Sequence, residues 1–114
     1  MTILIAGTIE LAADKRGAAL AEAAALMGET RSQSGCAHYV WSADPTSATR
    51  VYVYENWAST ADLAAHLAGP YYARMLALLG NYGVTDAVVS KFKVALEEPV
   101  YDPEGSPRAD FFTE

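Results

Sequence analysis

The hydrophobic positions of this chain fall into segments whose spacing switches repeatedly between that of a strand and that of a helix. Thr2 to Leu11 (TILIAGTIEL) carries a β-branched or apolar residue at almost every position, the pattern of a central strand covered on both faces. A helix follows. Asp14 is placed to cap it, Leu20, Ala24, Met27 and Arg31 form its stripe, and Gly35 after Ser34 is the expected stop. Gly17 and Gly28 each weaken that helix by about 1 kcal/mol, so packing must hold it. Cys36 to Ala43 and Arg50 to Trp57 then read as two strands joined by a turn at Asp44-Pro45-Thr46-Ser47, an antiparallel hairpin.

Ser59 with Asp62 after it marks the next helix start. Leu63, His66, Leu67 and Pro70 share one face of that helix, so the imidazole points where the leucines point. Gly69-Pro70 separates it from a second helical piece, Tyr71 to Leu79, in which Tyr71, Met75, Leu78 and Leu79 share a face. Gly80 to Gly83 turns the chain into a last, more weakly alternating strand, Val84 to Leu96. The order β-α-β-β-α-β is the ferredoxin-like split β-α-β arrangement, an α+β fold with helices on one face of a four-stranded antiparallel sheet. Strands this apolar on both sides predict that a second copy covers the bare face, giving a homodimer.

Residues 1–96 make up the one expected domain. The rest, 97–114 (EEPVYDPEGSPRADFFTE), is aperiodic and rich in proline and acid, and reads as a tail. Tyr101, Phe111 and Phe112 are costly to leave in water, so a tail that latches onto the partner subunit competes with a disordered one.

Composition narrows the function. A net charge of −6, with no basic cluster larger than Lys15-Arg16, would repel a phosphate backbone and argues against nucleic acid as a partner. No apolar run approaches the roughly 20 residues of a membrane span, and the N-terminus lacks the basic stretch that opens a signal peptide, so a cytoplasmic protein is expected. A lone Cys36 cannot form an internal disulfide and reads as a buried structural thiol. The chain has seven tyrosines, whose rings and hydroxyls suit a lined cavity or a subunit interface as well as an ordinary core.

His66 is the candidate base of such a cavity. An unperturbed imidazole, with a pKa of about 6.5, is mostly neutral at pH 7 and able to accept a proton. The competing reading is a core histidine bonded to a backbone carbonyl. Trp57 shares strand parity with Val51, Val53 and Glu55 and is expected on the helix side, as a flat wall against which a ring could stack. Asn56 points to the opposite face unless a bulge intervenes. Tyr39, Tyr71 and Tyr72 are candidate hydroxyl donors. Arg74 is a candidate for holding an anionic substituent, against a solvated helix face. His38 and His66 lie on different elements without a second ligand at helical spacing, and no glycine-rich phosphate loop occurs, so neither a metal nor a nicotinamide or flavin cofactor is expected.

Thr30-Arg31, Gly35-Cys36 with Tyr39, Tyr54-Glu55 with Trp57, and Ser59 ahead of His66 together resemble the antibiotic biosynthesis monooxygenase family. Its members show a Thr-Arg-x-x-x-Gly-Cys-x-x-Tyr run and then Glu-x-Trp-x-Ser before a helix bearing histidine. The resemblance spans Thr2 to Leu96 and implies a dimeric α+β barrel with a pocket between helices and sheet in each subunit. The chemistry it implies ranges over cofactor-free oxygenases of phenolic or quinol-like polycycles, haem-degrading enzymes and isomerases of small sugar-derived ketones.

The expected function is accordingly a cofactor-independent monooxygenase acting on a phenolic or hydroquinone-like polycyclic aromatic molecule with dioxygen. His66 would be the catalytic base, and Trp57, Tyr39, Tyr72, Asn56 and Arg74 would surround the substrate. A non-catalytic ligand-binding dimer and an isomerase of a small carbonyl compound are the alternatives. Haem is not expected: Trp57 and His66 match two residues of the haem-degrading subgroup's triad, but the third is an asparagine on the first strand, where this chain offers Ala6 and Gly7.

Overall fold

The computed structural model describes residues 1–113. In chain order its elements are β1 (Ile3–Leu11), α1 (Arg16–Arg31), β2 (Cys36–Ala43), β3 (Arg50–Trp57), α2 (Thr60–Leu67), α3 (Pro70–Tyr82) and β4 (Val84–Lys93). The strands form one antiparallel sheet in the order β2-β3-β1-β4. This is the expected α+β, ferredoxin-like arrangement. Among the described residues no helix is long and apolar enough to cross a membrane.

The side-chain parity read from β3 holds. Val51, Val53, Glu55 and Trp57 are buried beneath the helices, while Tyr52 and Tyr54 stand exposed on the other face. Register carries the pattern across the sheet: Tyr39 of β2, Glu55 of β3 and Ile5 of β1 lie side by side on the helix face. The opposite face is bare, with Tyr52, Val88 and Phe92 each about half or more exposed.

The helices depart from the sequence reading in ways that packing explains. Asp14 does not cap α1. Lys15 occupies the cap position without a side-chain bond, and the preceding turn is closed by backbone bonds from Lys15 and Arg16 to Ala12. The buried stripe is Ala19, Ala23, Leu26, Met27 and Thr30, whereas Ala24 and Arg31 are exposed. An alanine-rich helix shows little contrast around its circumference, so the sequence leaves its rotation nearly free and tertiary contact chooses it.

Helix α1 stops at Arg31, short of Ser34. Gly35 serves the connection instead: at φ 77° it is left-handed, and a Cβ there would meet the Asp62 side chain at 2.2 Å. Helix α3 runs through Gly80 to Tyr82, and only Gly83, at φ 80°, makes the left-handed stop. Cys36 is half-buried rather than buried, its Sγ 3.6 Å from the His38 carbonyl.

Strand β4 ends at Lys93 instead of Leu96, and every residue in it is exposed. It is an edge strand with β1 as its one neighbour. Beyond it, Tyr101 bridges to Pro107, the Glu98 carboxylate accepts the backbone N–H groups of Phe112 and Thr113, and Phe111 returns to a groove with Thr2, Leu4, Tyr54 and Asn56 on the bare face.

Gly7 sits where β1 and β4 come closest. A Cβ there would lie 2.2 Å from the Val88 carbonyl oxygen and 2.6 Å from the Val89 Cα, both backbone atoms that cannot rotate away. Gly7→Ala is therefore expected to push β4 outward and lower stability by about 1–3 kcal/mol, the usual cost of overpacking. Urea unfolding reads this as a lower midpoint at unchanged slope; a wild-type midpoint would show that β4 yields freely.

Candidate functional site

A cavity of about 290 Å³ separates the sheet from α2 and α3. Ile5, Tyr39, Trp41, Val53 and Glu55 form its floor, Ala87 and Val89 of β4 its side, and His66, Leu67, Tyr72 and Leu76 its roof. The lining is mostly apolar with a few polar groups, the usual makeup of a small-molecule site.

Local structure fixes the imidazole. Ser59 caps α2, its hydroxyl accepting from the Asp62 N–H at 3.1 Å, and this sets the helix so that His66 turns inward to 2% exposure. The ring stacks on Trp57 with centroids 4.5 Å apart and meets Tyr39 and Tyr72 edge-on at 5.6 and 5.8 Å. Its Nδ1 lies 2.7 Å from Gln33 Oε1. An amide oxygen can only accept, so Nδ1 carries the proton and Nε2, which has no hydrogen-bond partner among the described residues, keeps its lone pair for the cavity. Burial lowers the His66 pKa below its ordinary 6.5, which holds the ring neutral at pH 7.

Trp57 is present but plays a different part from the one expected. It is wholly buried, one face is covered by His66, and its Nε1–H donates to Glu55 Oε1 at 3.0 Å. It is absent from the cavity lining and backs the imidazole instead. Leu67, expected inside with His66, is exposed at the cavity mouth.

Glu55 is the residue that the sequence reading left out of the site. Glu55 is 6% exposed, accepts one bond from Trp57, and forms no ion pair among the described residues. Burial pushes its pKa up from the ordinary 4.5, against the smaller lowering by the Trp57 bond. The signal was available, since a carboxylate in phase with Val51, Val53 and Trp57 faces the core. Gln33 and Trp41 were also missed. Trp41 Nε1 is buried without a hydrogen-bond partner. Gln33 falls within the span expected to be helical but off its apolar stripe, and in the structure it stands beyond the end of α1 at Arg31, so nothing local marks it.

Tyr39 and Tyr72 line the cavity as expected, and burial first of all raises the Tyr39 hydroxyl far above its usual range. Asn56 does not join them: it faces the bare side, in the groove that Phe111 enters. Arg74 is outside as well. It pairs with Glu29 at 2.9 Å on the solvent side of α1 and α3, its guanidinium 5.9 Å from the Tyr71 ring centre. Tyr71 packs against the core beneath it and does not line the cavity.

Among the described residues no three histidine, cysteine, aspartate or glutamate side chains gather as a metal site. Haem does not fit the first strand either. Residue 6 faces away from the cavity, and residue 7 tolerates no side chain at all, so β1 presents no polar group to a haem ligand.

Residues 2–78 match the family described as antibiotic biosynthesis monooxygenase. No protein of curated function matches the chain. Among solved structures the chain is similar to a Deinococcus radiodurans protein provisionally described as an antibiotic biosynthesis monooxygenase, at 21% identity over 88% of this chain and 99% of the other, with a TM-score of 0.72. A Mycobacterium tuberculosis protein matches at 20% identity over 87% of this chain and 100% of its own, with a TM-score of 0.74. A Nitrosomonas europaea protein under the same provisional description matches at 14% identity over 82% and 90%, also with a TM-score of 0.74. At these identities the likeness establishes the fold and not the reaction.

The two buried groups bend stability with pH in opposite senses. Glu55 has its folded pKa raised, so its contribution is complete below pH 4.5 and is lost as pH rises through the folded value. His66 has its folded pKa lowered, so its contribution is complete above pH 6.5 and is lost as pH falls toward the folded value. Glu55→Gln should thus gain stability relative to wild type as pH rises above 4.5, while His66→Gln should flatten the loss as pH falls below 6.5. Urea midpoints across both ranges test this; parallel curves for wild type and Glu55→Gln would mean that the carboxyl is not held neutral.

Proposed function

We propose, from the premise that this chain belongs to the antibiotic biosynthesis monooxygenase family, that it is a monooxygenase needing no cofactor and oxidising a small phenol or hydroquinone with dioxygen. The observation that carries this reading is the state of His66: neutral, with Nδ1 committed to Gln33 and Nε2 available to an apolar cavity. In that setting Nε2 takes the proton of a phenolic hydroxyl, and the resulting anion is electron-rich enough to pass an electron to dioxygen. The radicals recombine at carbon, the O–O bond breaks, and a phenol with an open ring position yields a quinone and water. The substrate supplies every electron. Tyr39 and Tyr72 line the same cavity, and in this reading their hydroxyls are the donors that meet charge as it develops.

The volume of the cavity, about 290 Å³, stands at the low end of small-molecule sites. It favours a substrate of one or two rings over the larger polycycle that the sequence alone suggested. His66→Ala should lower turnover per folded protein by about 10²-fold or more while changing binding much less. A melting curve taken alongside separates this from a structural role; wild-type turnover in folded His66→Ala would remove the histidine from the mechanism.

The homodimer belongs to the same proposal. Tyr52, Val88 and Phe92 on the bare face, with Phe111 at its rim, form an apolar surface that a second copy would cover. Light scattering at micromolar concentration should give the mass of two chains, and a monodisperse 12.2 kDa species would contradict it.

A further inference from the structure

His66 addresses one hydroxyl of a bound ring and leaves open what else the substrate carries. Beside the cavity lies a groove of about 200 Å³. Thr60, Leu63, Ala64 and Leu67, which share one face of α2, form one wall, and Ile3 of β1 and Lys91 of β4 form the other. Leu67 belongs to the lining of both spaces and is exposed, so a single flexible side chain parts them.

Sheet geometry places an ammonium group at this junction. Ala87, Val89 and Lys91 alternate onto the helix face of β4, and the first two line the cavity. Lys91 pairs across the ladder with Ile5 of the cavity floor, which makes it the next side chain beyond the cavity wall. Its charge is uncommitted. Among the described residues Arg50, Arg74 and Arg108 pair with carboxylates, and Arg16 and Arg31 bond to backbone carbonyls, whereas Lys91 has no ion-pair partner. Glu55 is the only acid lining either space among the described residues, and burial favours its neutral form, so it would not repel an anion at the groove. An acidic chain thus keeps a free cation at the mouth of its apolar cavity, in the role that the sequence suggested for Arg74.

We propose that Lys91 is a specificity-determining residue and that the substrate is a phenol or hydroquinone bearing a short carboxylate arm. The ring lies in the cavity with its hydroxyl at His66 Nε2, and the arm passes over Leu67 so that its carboxylate meets the Lys91 ammonium. This rests on the oxygenation reading for the placement of the ring and adds the charged end. The groove supplies the room for the arm that a cavity suited to one or two rings lacks. Lys91 carries its charge on a flexible four-carbon stem, so it can follow the arm rather than demand one length.

The test is binding under nitrogen, where no oxidation occurs, measured by calorimetry with 2,5-dihydroxyphenylacetate and its methyl ester. The ratio of acid to ester affinity should fall about fivefold in Lys91→Gln, the upper range for an exposed ion pair, with the ester bound as before. Lys91→Arg should keep the wild-type ratio. So should Lys15→Gln, which removes the same charge beyond the other end of β1. Lys91 is exposed on an edge strand, so its replacement leaves the core intact. An unchanged ratio in Lys91→Gln, an equal fall in Lys15→Gln, or failure of both compounds to bind would each overturn the proposal. Oxygen uptake in air is followed separately. Acid bound through Lys91 but left unoxidised would sink the oxygenation and leave Lys91 in place, whereas oxidation of an ester that binds as well as the acid in every variant would sink only the role of Lys91.

Discussion

The stacking of Trp57 on His66 is the contact on which the site depends. The indole fixes the plane of the imidazole, fills the space behind it, and spends its one N–H on Glu55. Had the indole faced the cavity instead, the imidazole would lose its backing and Glu55 its single bond. A buried aromatic at the end of β3 therefore determines the orientation of one titratable group and the environment of another. Trp57 can sit there because Ser59 caps α2 and brings the helix down over the strand end. Gly35 keeps the approach clear, since any side chain at that position would strike Asp62.

Much of this was legible in the chain, and the exceptions follow a rule. Alternation in Arg50 to Trp57 gave the correct faces because the period of two is strict and one face is buried; a slip of one residue would have reversed every side chain. The cap at Ser59 was legible because its chemistry is local. The rotation of α1 was not, because alanine on all sides carries no directional information. The end of α3 was misplaced because glycine weakens a helix without ending it, and Gly80 has open space around it whereas Gly83 takes the left-handed conformation.

The site was legible in part for the same reason. His66 and Tyr39 declare their faces through their own elements, but which residues meet across the cavity is a tertiary fact. Arg74 looked available until Glu29, on a different helix, was seen to hold it. Asn56 was excluded by parity alone, which the sequence had already stated. Glu55 is legible by the same parity, since a carboxylate in register with Val51, Val53 and Trp57 faces the core. Gln33, which sets the histidine tautomer, stands off the apolar stripe and just beyond the end of α1, where no periodicity exposes it.

The sheet has two free edges, β2 and β4, and β4 is exposed along its whole length. A strand of that kind is an open template for another chain, and pairing of β4 with the β2 edge of another copy would extend into a filament rather than close. Lys91 and Lys93 near its end and Asp86 near its start place charges along this edge, and the bulge opposite Leu11 breaks its regularity at the other end of β1. The consequence is that the apolar face of the sheet can remain sticky toward a partner while the edge beside it resists runaway polymerisation, so that association through the face ends once that face is covered.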